Sequence, residues 1–259
     1  MRRLLSFHAL LVYLFLYLPI LVVVALSFNE SRRGVHFTGF TLKWYQGLFQ
    51  DPRVLEYFAN TLVVALVSTL VSTVLGTLLA LGLVRYRFPG KGFLRYLLYV
   101  PVVVPDVVMG VSLLLLFAFS RELLGFPRLS LLTVILGHIT FQVAFVTLVV
   151  RSRLLLLDPA LQEAPPVLGA SAFHTSLLVA LPPAWTGVAA GALLALTLSL
   201  DDFVVTFFTA GPGATTLPLY IYSSVKLGVS PKVHALSSLI VGLSAFFLAL
   251  GYAISRRRL

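Results

Sequence analysis

The chain has 259 residues, of which 59% are hydrophobic and 11% charged, and its formal net charge is +10. Soluble domains are ordinarily about 45–50% apolar and about 25% charged, so this composition excludes a soluble globular domain and indicates a membrane protein. The Lys and Arg residues stand mainly at the ends of apolar runs, which suits contact with a lipid bilayer and argues against a nucleic-acid partner.

Six apolar runs predict six membrane-spanning helices, since a helix needs about 20 residues to cross the roughly 30 Å hydrocarbon core. Runs this long and continuous favour helices over the strands of a barrel. The first run is longer than the core of a signal peptide and lacks a cleavage site, so we interpret it as a retained span. The sequence predicts one all-α membrane domain over residues 1–259, with spans at about 7–28, 60–84, 96–119, 129–150, 185–208 and 235–254.

The distribution of positive charge predicts the orientation of these spans. With the N-terminus inside, the inner segments hold most of the cationic residues, and the outer segments carry several acidic ones. The inner cations are Arg2, Arg3, Arg85, Arg87, Lys91, Arg95, Arg151, Arg153, Arg256, Arg257 and Arg258. We therefore predict that both termini, and the long loop at about 151–184, are cytoplasmic.

The first outer loop, at about 29–59, is amphipathic. It contains Trp44, Tyr45, Leu48 and Phe49. Aromatic side chains concentrate where membrane meets water, so we expect this segment to lie on the outer surface.

The third predicted span contains a proline-flanked acid, in the run Pro101-Val102-Val103-Val104-Pro105-Asp106. The prolines are expected to kink the helix and to free backbone carbonyl groups. Asp106 would lie a third to halfway across this span. It either lines a pathway or bonds the freed backbone, and the sequence leaves both roles open.

The loop at about 151–184 is longer than most helix connections, and long ordered loops tend to be functional. It contains Glu163 and Ala164, then Gly169 and Ala170, and ends in Leu181 and Pro182. Small residues allow close packing, a glycine allows a sharp turn, and a proline can stop a short helix before the next span. A carboxylate near the start of that helix is favoured by the helix dipole. These features suit a short helix that docks into another protein.

The spacing E-A-x4-G-x11-L-P in this loop resembles the EAA motif of ABC importer permeases, E-A-A-x3-G-x9-I-x-L-P. Pro165 stands in place of the second alanine and Val179 in place of isoleucine. The resemblance implies that Glu163, Ala164, Gly169, Ala170, Leu181 and Pro182 form a coupling loop that docks on an ATPase subunit.

The fifth predicted span contains two adjacent acids, Asp201 and Asp202, and Asp201 is expected in its outer half. Charge at such depth is costly and tends to face a cavity, although the two residues point about 100° apart on a helix. With Asp106 they could form a cation-friendly lining; a structural role is the alternative. In the same span, Gly187-x3-Gly191 favours close helix packing.

Beyond these acids, Gly211-Pro212-Gly213 predicts a turn, and the apolar stretch 217–225 is too short to span and is interpreted as an external gate or re-entrant helix. From Asp201 to Pro231 the chain resembles the spermidine/putrescine permeases of the PotC type. The resemblance implies a type I ABC importer fold in the plasma (inner) membrane, polyamine transport by alternating access, and assembly with a second homologous permease, two ATP-binding subunits and an external substrate-binding protein.

Other functions fit less well. No G-x4-G-K-[ST] phosphate loop occurs, so we expect no cofactor in this chain and expect ATP to be bound by the partner subunit. The absence of cysteine excludes disulfide and thiol chemistry, and the histidines show no metal-ligand spacing, so neither an enzyme nor a metal site is expected. An ABC permease for iron, phosphonate or another solute, or an ion-coupled carrier or channel, remains the alternative.

Overall fold

A computed structural model describes residues 2–31, 36–157, 178, 181–227 and 230–256. In these ranges the regular secondary structure is helical, beside one isolated antiparallel bridge between Asn29 and Phe40. The helices are α1 (Arg2–Ser27), α2 (Lys43–Phe49), α3 (Pro52–Arg85), α4 (Lys91–Leu97), α5 (Val100–Val103), α6 (Asp106–Leu124), α7 (Leu131–Leu155), α8 (Leu181–Asp201), α9 (Val204–Thr209), α10 (Leu217–Leu227) and α11 (Pro231–Arg256).

Six of the described helices contain stretches long and apolar enough to cross a membrane, which confirms the predicted number of spans. These stretches are Leu4–Ser27, Pro52–Arg85, Asp106–Leu124, Leu131–Leu155, Leu181–Asp201 and Pro231–Ala249. The second begins eight residues before the predicted boundary at 60, with Pro52 as the first residue of α3. Proline is suited to that position because the first N–H groups of a helix have no partner within it.

The third span begins at Asp106, whereas the sequence placed Asp106 a third to halfway across a kinked span at about 96–119. Val104 and Pro105 both have extended backbone, with ψ of 130° and 137°. Proline disfavours helical backbone in the residue before it and cannot donate a helical hydrogen bond. The helical path therefore stops after α5 and restarts as α6.

The fifth span also differs from its predicted course at 185–208. Helix α8 ends at Asp201, and α9 begins at Val204 after a break formed by Asp202 and Phe203. At the other end, Pro182 lies in the first turn of α8 instead of ahead of it, where its missing N–H costs no intrahelical bond.

The chain divides into two compact units, the first comprising Met1–Phe58 and Leu217–Leu243. In its described part, Leu48 of α2 is buried against Leu217 of α10 and Leu236 of α11. The Trp44 indole N–H donates to the carbonyl oxygen of Asn29 at 2.7 Å. Leu48 is thus a core residue of this unit. That the segment at about 29–59 lies on the outer surface stays a prediction.

The second unit comprises Ala59–Thr216 and Ser244–Leu259. Within it, α8 packs on α7 through small residues, and a Cβ atom added at Gly187 would lie 2.6 Å from Cβ of Arg153. At Gly191 the added atom would lie 3.3 Å from Cγ1 of Val146. Helices in lipid associate through close packing, so the prediction from the Gly187-x3-Gly191 spacing is confirmed.

Candidate functional site

The three aspartates that the sequence singles out line one pocket of about 400 Å³ in the second unit. Asp106 begins α6, Asp201 ends α8, and Asp202 lies in the helix break before α9. The two interruptions in the spans, at Pro105 and at Asp202–Phe203, therefore bring backbone ends and carboxylates together. A pocket of this size that places carboxylates beside apolar side chains falls within the size range of ligand sites.

Aromatic rings form much of the rest of the wall. Phe141 and Phe145, one turn apart on α7, line the pocket together with Phe203 from the helix break. An aromatic face attracts a cation lying over it, and the attraction grows when water is excluded. The pocket thus combines carboxylates with aromatic faces, the two kinds of group that bind organic cations.

Asp202 is the most constrained of the three acids. One carboxylate oxygen accepts the backbone N–H of Val205 at 3.3 Å, and the other accepts the backbone N–H and the hydroxyl of Thr206, both at 2.8 Å. These bonds satisfy the free N–H groups at the start of α9, which have no partner inside that helix. The side chain is only 10% exposed. Asp202 therefore caps α9 from within the pocket wall.

Asp201 and Asp106 are exposed in the isolated chain, in contrast to Asp202. Both carboxylates belong to the pocket lining. Their role in transport stays a prediction.

Sequence reasoning missed His138, which lies on α7 and is 1% exposed. Its Nε2 atom lies 3.2 Å from the Asp202 carboxylate, and its Nδ1 atom lies 2.7 Å from the Ser199 hydroxyl oxygen. Its ring centroid is 5.5 Å from that of Phe141, which lines the pocket. The histidines of the sequence show no metal-ligand spacing, and no spacing along the chain indicates a Ser/His/Asp group. The signal that the sequence offers is an ionisable residue within a span, which must find a buried partner.

A second buried polar side chain on α7 lies one turn further along. Gln142 accepts the hydroxyl of Ser72 at 3.0 Å and donates its amide to the carbonyl oxygen of Ala195 at 3.0 Å. These bonds join α7 to α3 and α8. Gln142 is absent from the pocket wall, so it serves packing of the spans.

The predicted coupling loop falls mostly outside the described residues. Glu163, Ala164, Gly169 and Ala170 all lie there, whereas Leu181 and Pro182 form the start of α8. The end of the motif is therefore continuous with the helix that carries Asp201 at its other end.

Six spans and an internal acidic pocket define this chain as a multi-pass membrane protein of the permease class. Residues 72–259 match the family described as "Binding-protein-dependent transport system inner membrane component", and the chain belongs to that family.

The relatives narrow the identification. The chain is 42% identical to the spermidine/putrescine transport system permease protein PotC of Escherichia coli (strain K12), over 95% of this chain and 91% of the relative. It is 40% identical to the putrescine transport system permease protein PotI of the same strain, over 90% of this chain and 84% of the relative. These likenesses confirm the resemblance to the spermidine/putrescine permeases.

A solved structure shares the fold. The crystal structure of a bacterial ABC transporter involved in the import of the acidic polysaccharide alginate matches with a TM-score of 0.76 at 18% identity, covering 99% of this chain and 96% of that chain. The match confirms the predicted all-α ABC importer permease fold. At 18% identity the match concerns the fold alone.

Proposed function

We propose that this chain is the permease subunit of an ATP-driven importer that carries polyamines such as spermidine and putrescine across the plasma membrane. The likeness to a spermidine/putrescine permease along nearly the whole chain is the observation that carries this proposal. The subunit is non-catalytic, and its work is to bind, pass and release the solute.

The chemistry of the pocket supports a cationic cargo. Polyamines are flexible chains of methylene groups with protonated amines, so they need carboxylates for the charges and apolar surface for the carbons. Asp106 and Asp201 supply exposed carboxylates, and Phe141 and Phe203 supply apolar faces. Among the described residues that line this pocket there is no Lys or Arg, a composition that disfavours an anion.

ATP binding and hydrolysis belong to partner subunits in this proposal. The full assembly contains a second homologous permease, two ATP-binding subunits and an external substrate-binding protein. The match to the family of binding-protein-dependent transport components supports the last of these partners. The orientation inferred from the positive charges, with both termini inside, would place residues 151–184 in the cytoplasm within reach of an ATPase.

Helix α8 offers a path from ATP to solute. It is a continuous helix of 21 residues from Leu181 to Asp201, about 30 Å long at 1.5 Å per residue. A movement of the coupling loop would therefore be passed along one rigid element to a carboxylate of the pocket. This supports alternating access, in which closure of the ATPase subunits turns the spans and opens the pocket to the outside.

Uptake of radiolabelled spermidine and putrescine tests the proposal, in cells that lack this chain and in the same cells with the chain and its neighbouring transporter genes restored. We expect uptake that is restored with the chain and abolished by depletion of ATP. Uptake that persists without ATP would favour an ion-coupled carrier. If the ATPase co-purifies with the chain but no polyamine enters, the polyamine assignment is wrong and another solute is the cargo.

A further inference from the structure

The break between α8 and α9 exposes backbone groups that need partners. Inside a membrane, each unpaired backbone N–H or C=O group costs several kcal/mol in hydrocarbon. The carboxylate of Asp202 meets part of this need by accepting the N–H groups of Val205 and Thr206. A buried carboxylate itself needs a hydrogen-bond donor or an opposite charge nearby, and His138 on α7 is placed to supply it.

His138 contacts both sides of the break with its two ring nitrogens. Nδ1 lies 2.7 Å from the hydroxyl of Ser199, in the last turn of α8. Nε2 lies 3.0 Å from the hydroxyl of Thr206, in the first turn of α9, and 3.2 Å from the Asp202 carboxylate. One buried imidazole thus joins the end of one helix to the start of the next.

Counting donors and acceptors places a proton on Nε2 of this ring. The Thr206 hydroxyl has one hydrogen, and at 2.8 Å it donates to the Asp202 carboxylate, which can only accept. Nε2 must therefore be a donor toward this pair. In the neutral ring, Nδ1 is then the acceptor for the hydroxyl of Ser199. A neutral imidazole with its proton on Nε2 satisfies each of these contacts.

We propose that His138 is a positioning residue for transport: by joining α8 to α9 and holding the Asp202 carboxylate, it fixes the end of α8 that presents Asp201 to the solute. This inference rests on the proposed function, because it assigns His138 to the same pocket. A positioning role differs from a packing role because its effect on transport depends on the contact between His138 and the Asp202 carboxylate. Misplacement of a binding group by about 1 Å can lower a rate by as much as a hundredfold.

Three substitutions separate the contacts of the ring. His138→Leu keeps bulk and removes both polar contacts, His138→Gln keeps an amide donor at about the reach of Nε2, and His138→Asn reaches only as far as Nδ1. We expect uptake per assembled transporter to fall about tenfold or more with Leu, and to be higher with Gln than with Asn. The amount assembled is measured by co-purification of the chain with its ATPase subunit.

Gln142→Leu is the matched control, since Gln142 is equally buried on the same helix and bonds two neighbouring spans away from the break. We expect this variant to lower the amount of assembled transporter while leaving uptake per transporter near that of the unaltered protein. An equal loss per transporter in His138→Leu and Gln142→Leu would assign both residues to packing and overturn the proposal.

A double-mutant cycle completes the test. If His138 acts through Asp202, adding His138→Leu to Asp202→Asn should lower uptake per transporter little further, whereas independent roles give multiplied losses. Multiplied losses, or unchanged uptake per transporter in His138→Leu, overturn the proposal. If His138→Leu fails to assemble, the other two variants decide: equal uptake per transporter in His138→Gln and His138→Asn would overturn the proposal. Absence of polyamine uptake by the unaltered transporter would instead count against the proposed function.

Discussion

Asp201 and Asp202 are neighbours in sequence but meet different surroundings. Successive residues of a helix point about 100° apart, and here the helix also ends between them. The Asp202 carboxylate accepts three hydrogen bonds from Val205 and Thr206, while Asp201 is exposed at the pocket. One acid is thus committed to the backbone, and the other is available to a solute.

Separate substitutions should distinguish these two acids. Asp201→Asn is expected to lower polyamine uptake about tenfold or more without changing the amount of folded protein, because it removes charge but no structural bond. Asp202→Asn places an amide donor against the donors that its carboxylate accepts, and a buried donor left unpaired costs about 1–3 kcal/mol.

The measurements are uptake per assembled transporter and the thermal unfolding midpoint in detergent. We expect Asp202→Asn to lower the thermal unfolding midpoint and Asp201→Asn to leave it unchanged. Full uptake in Asp201→Asn would contradict a role of Asp201 in transport, and full uptake in the variant with both acids neutralised would leave both residues with a structural role only.

The acids of the site could be identified from the sequence, whereas the contact between Asp202 and His138 could not. Charge within a span is costly and stands out in an apolar run, which draws attention to Asp106, Asp201 and Asp202. His138 lies 64 residues from Asp202 along the chain, and their contact depends on how α7 packs against the break. No local pattern specifies that packing.

At the scale of elements, the two helix interruptions differ in how far they could be predicted. Pro105 favours extended backbone at its own position and at the residue before it, so the sequence predicts a kink there. The structure has a complete break between α5 and α6, which is larger than the expected kink. The break at Asp202–Phe203 contains neither proline nor glycine. It is held by local hydrogen bonds to the Asp202 carboxylate and by contacts from His138, and the His138 contacts form only once α7 packs against the break.

The close approach of α3 to α7 predicts that alanine substitutions at two glycines of α3 will affect stability differently. A Cβ atom at Gly76 would lie 2.8 Å from Cβ of Val146 and 3.1 Å from the backbone nitrogen of Thr147, on α7. At Gly82 it would meet nothing within 4 Å. Gly76→Ala should push α3 from α7 and destabilise the protein by about 1–3 kcal/mol.

Gly82→Ala is the control on the same helix. It should be neutral or stabilising, by up to about 1 kcal/mol, because alanine favours helix more than glycine does. Thermal unfolding of both variants in detergent compares them, and equal midpoints would contradict the close packing of α3 on α7.

An ion pair predicts an acid-dependent part of the stability of the first unit. Lys232, in the first turn of α11, donates to the carboxylate of Asp51, which precedes α3. This bond holds the pKa of Asp51 below its ordinary value of 3.8 against partial burial, which raises it, and the backbone N–H of Arg53 adds to the lowering. The stabilisation is full above the ordinary value and is lost as the pH falls through the lowered pKa.

Because both side chains are partly exposed, the effect should be less than about 1 kcal/mol. The variant Lys232→Gln is expected to unfold at a lower temperature than the unaltered protein at pH 7, and the two midpoints should converge as the pH falls to 3 and below. A difference that stays constant across this range would show that the pair does not control the titration of Asp51.

At the scale of the whole molecule, ATP-driven transport requires that a conformational change caused by ATP binding outside the membrane be transmitted to the solute pocket. In the proposed function an ATPase partner docks on the predicted coupling motif, and α8 connects the end of that motif at Leu181 with Asp201 at the pocket. The other motif positions lie outside the described residues, so their docking rests on the sequence pattern. A substitution there should separate transport from folding.

Gly169→Asp should uncouple transport, because it adds a charged side chain where the motif has the residue that allows a sharp turn and close docking. The spans lie elsewhere in the chain, so the variant should reach the membrane in normal amounts while polyamine uptake falls at least tenfold. The control is Gly92→Asp on α4, where an added Cβ atom meets nothing within 4 Å and the segment is predicted to face the same side. ATPase co-purification and uptake are measured for both variants. Weakened co-purification with Gly169→Asp alone places the docking contact at the motif, whereas normal uptake in that variant rejects the coupling assignment.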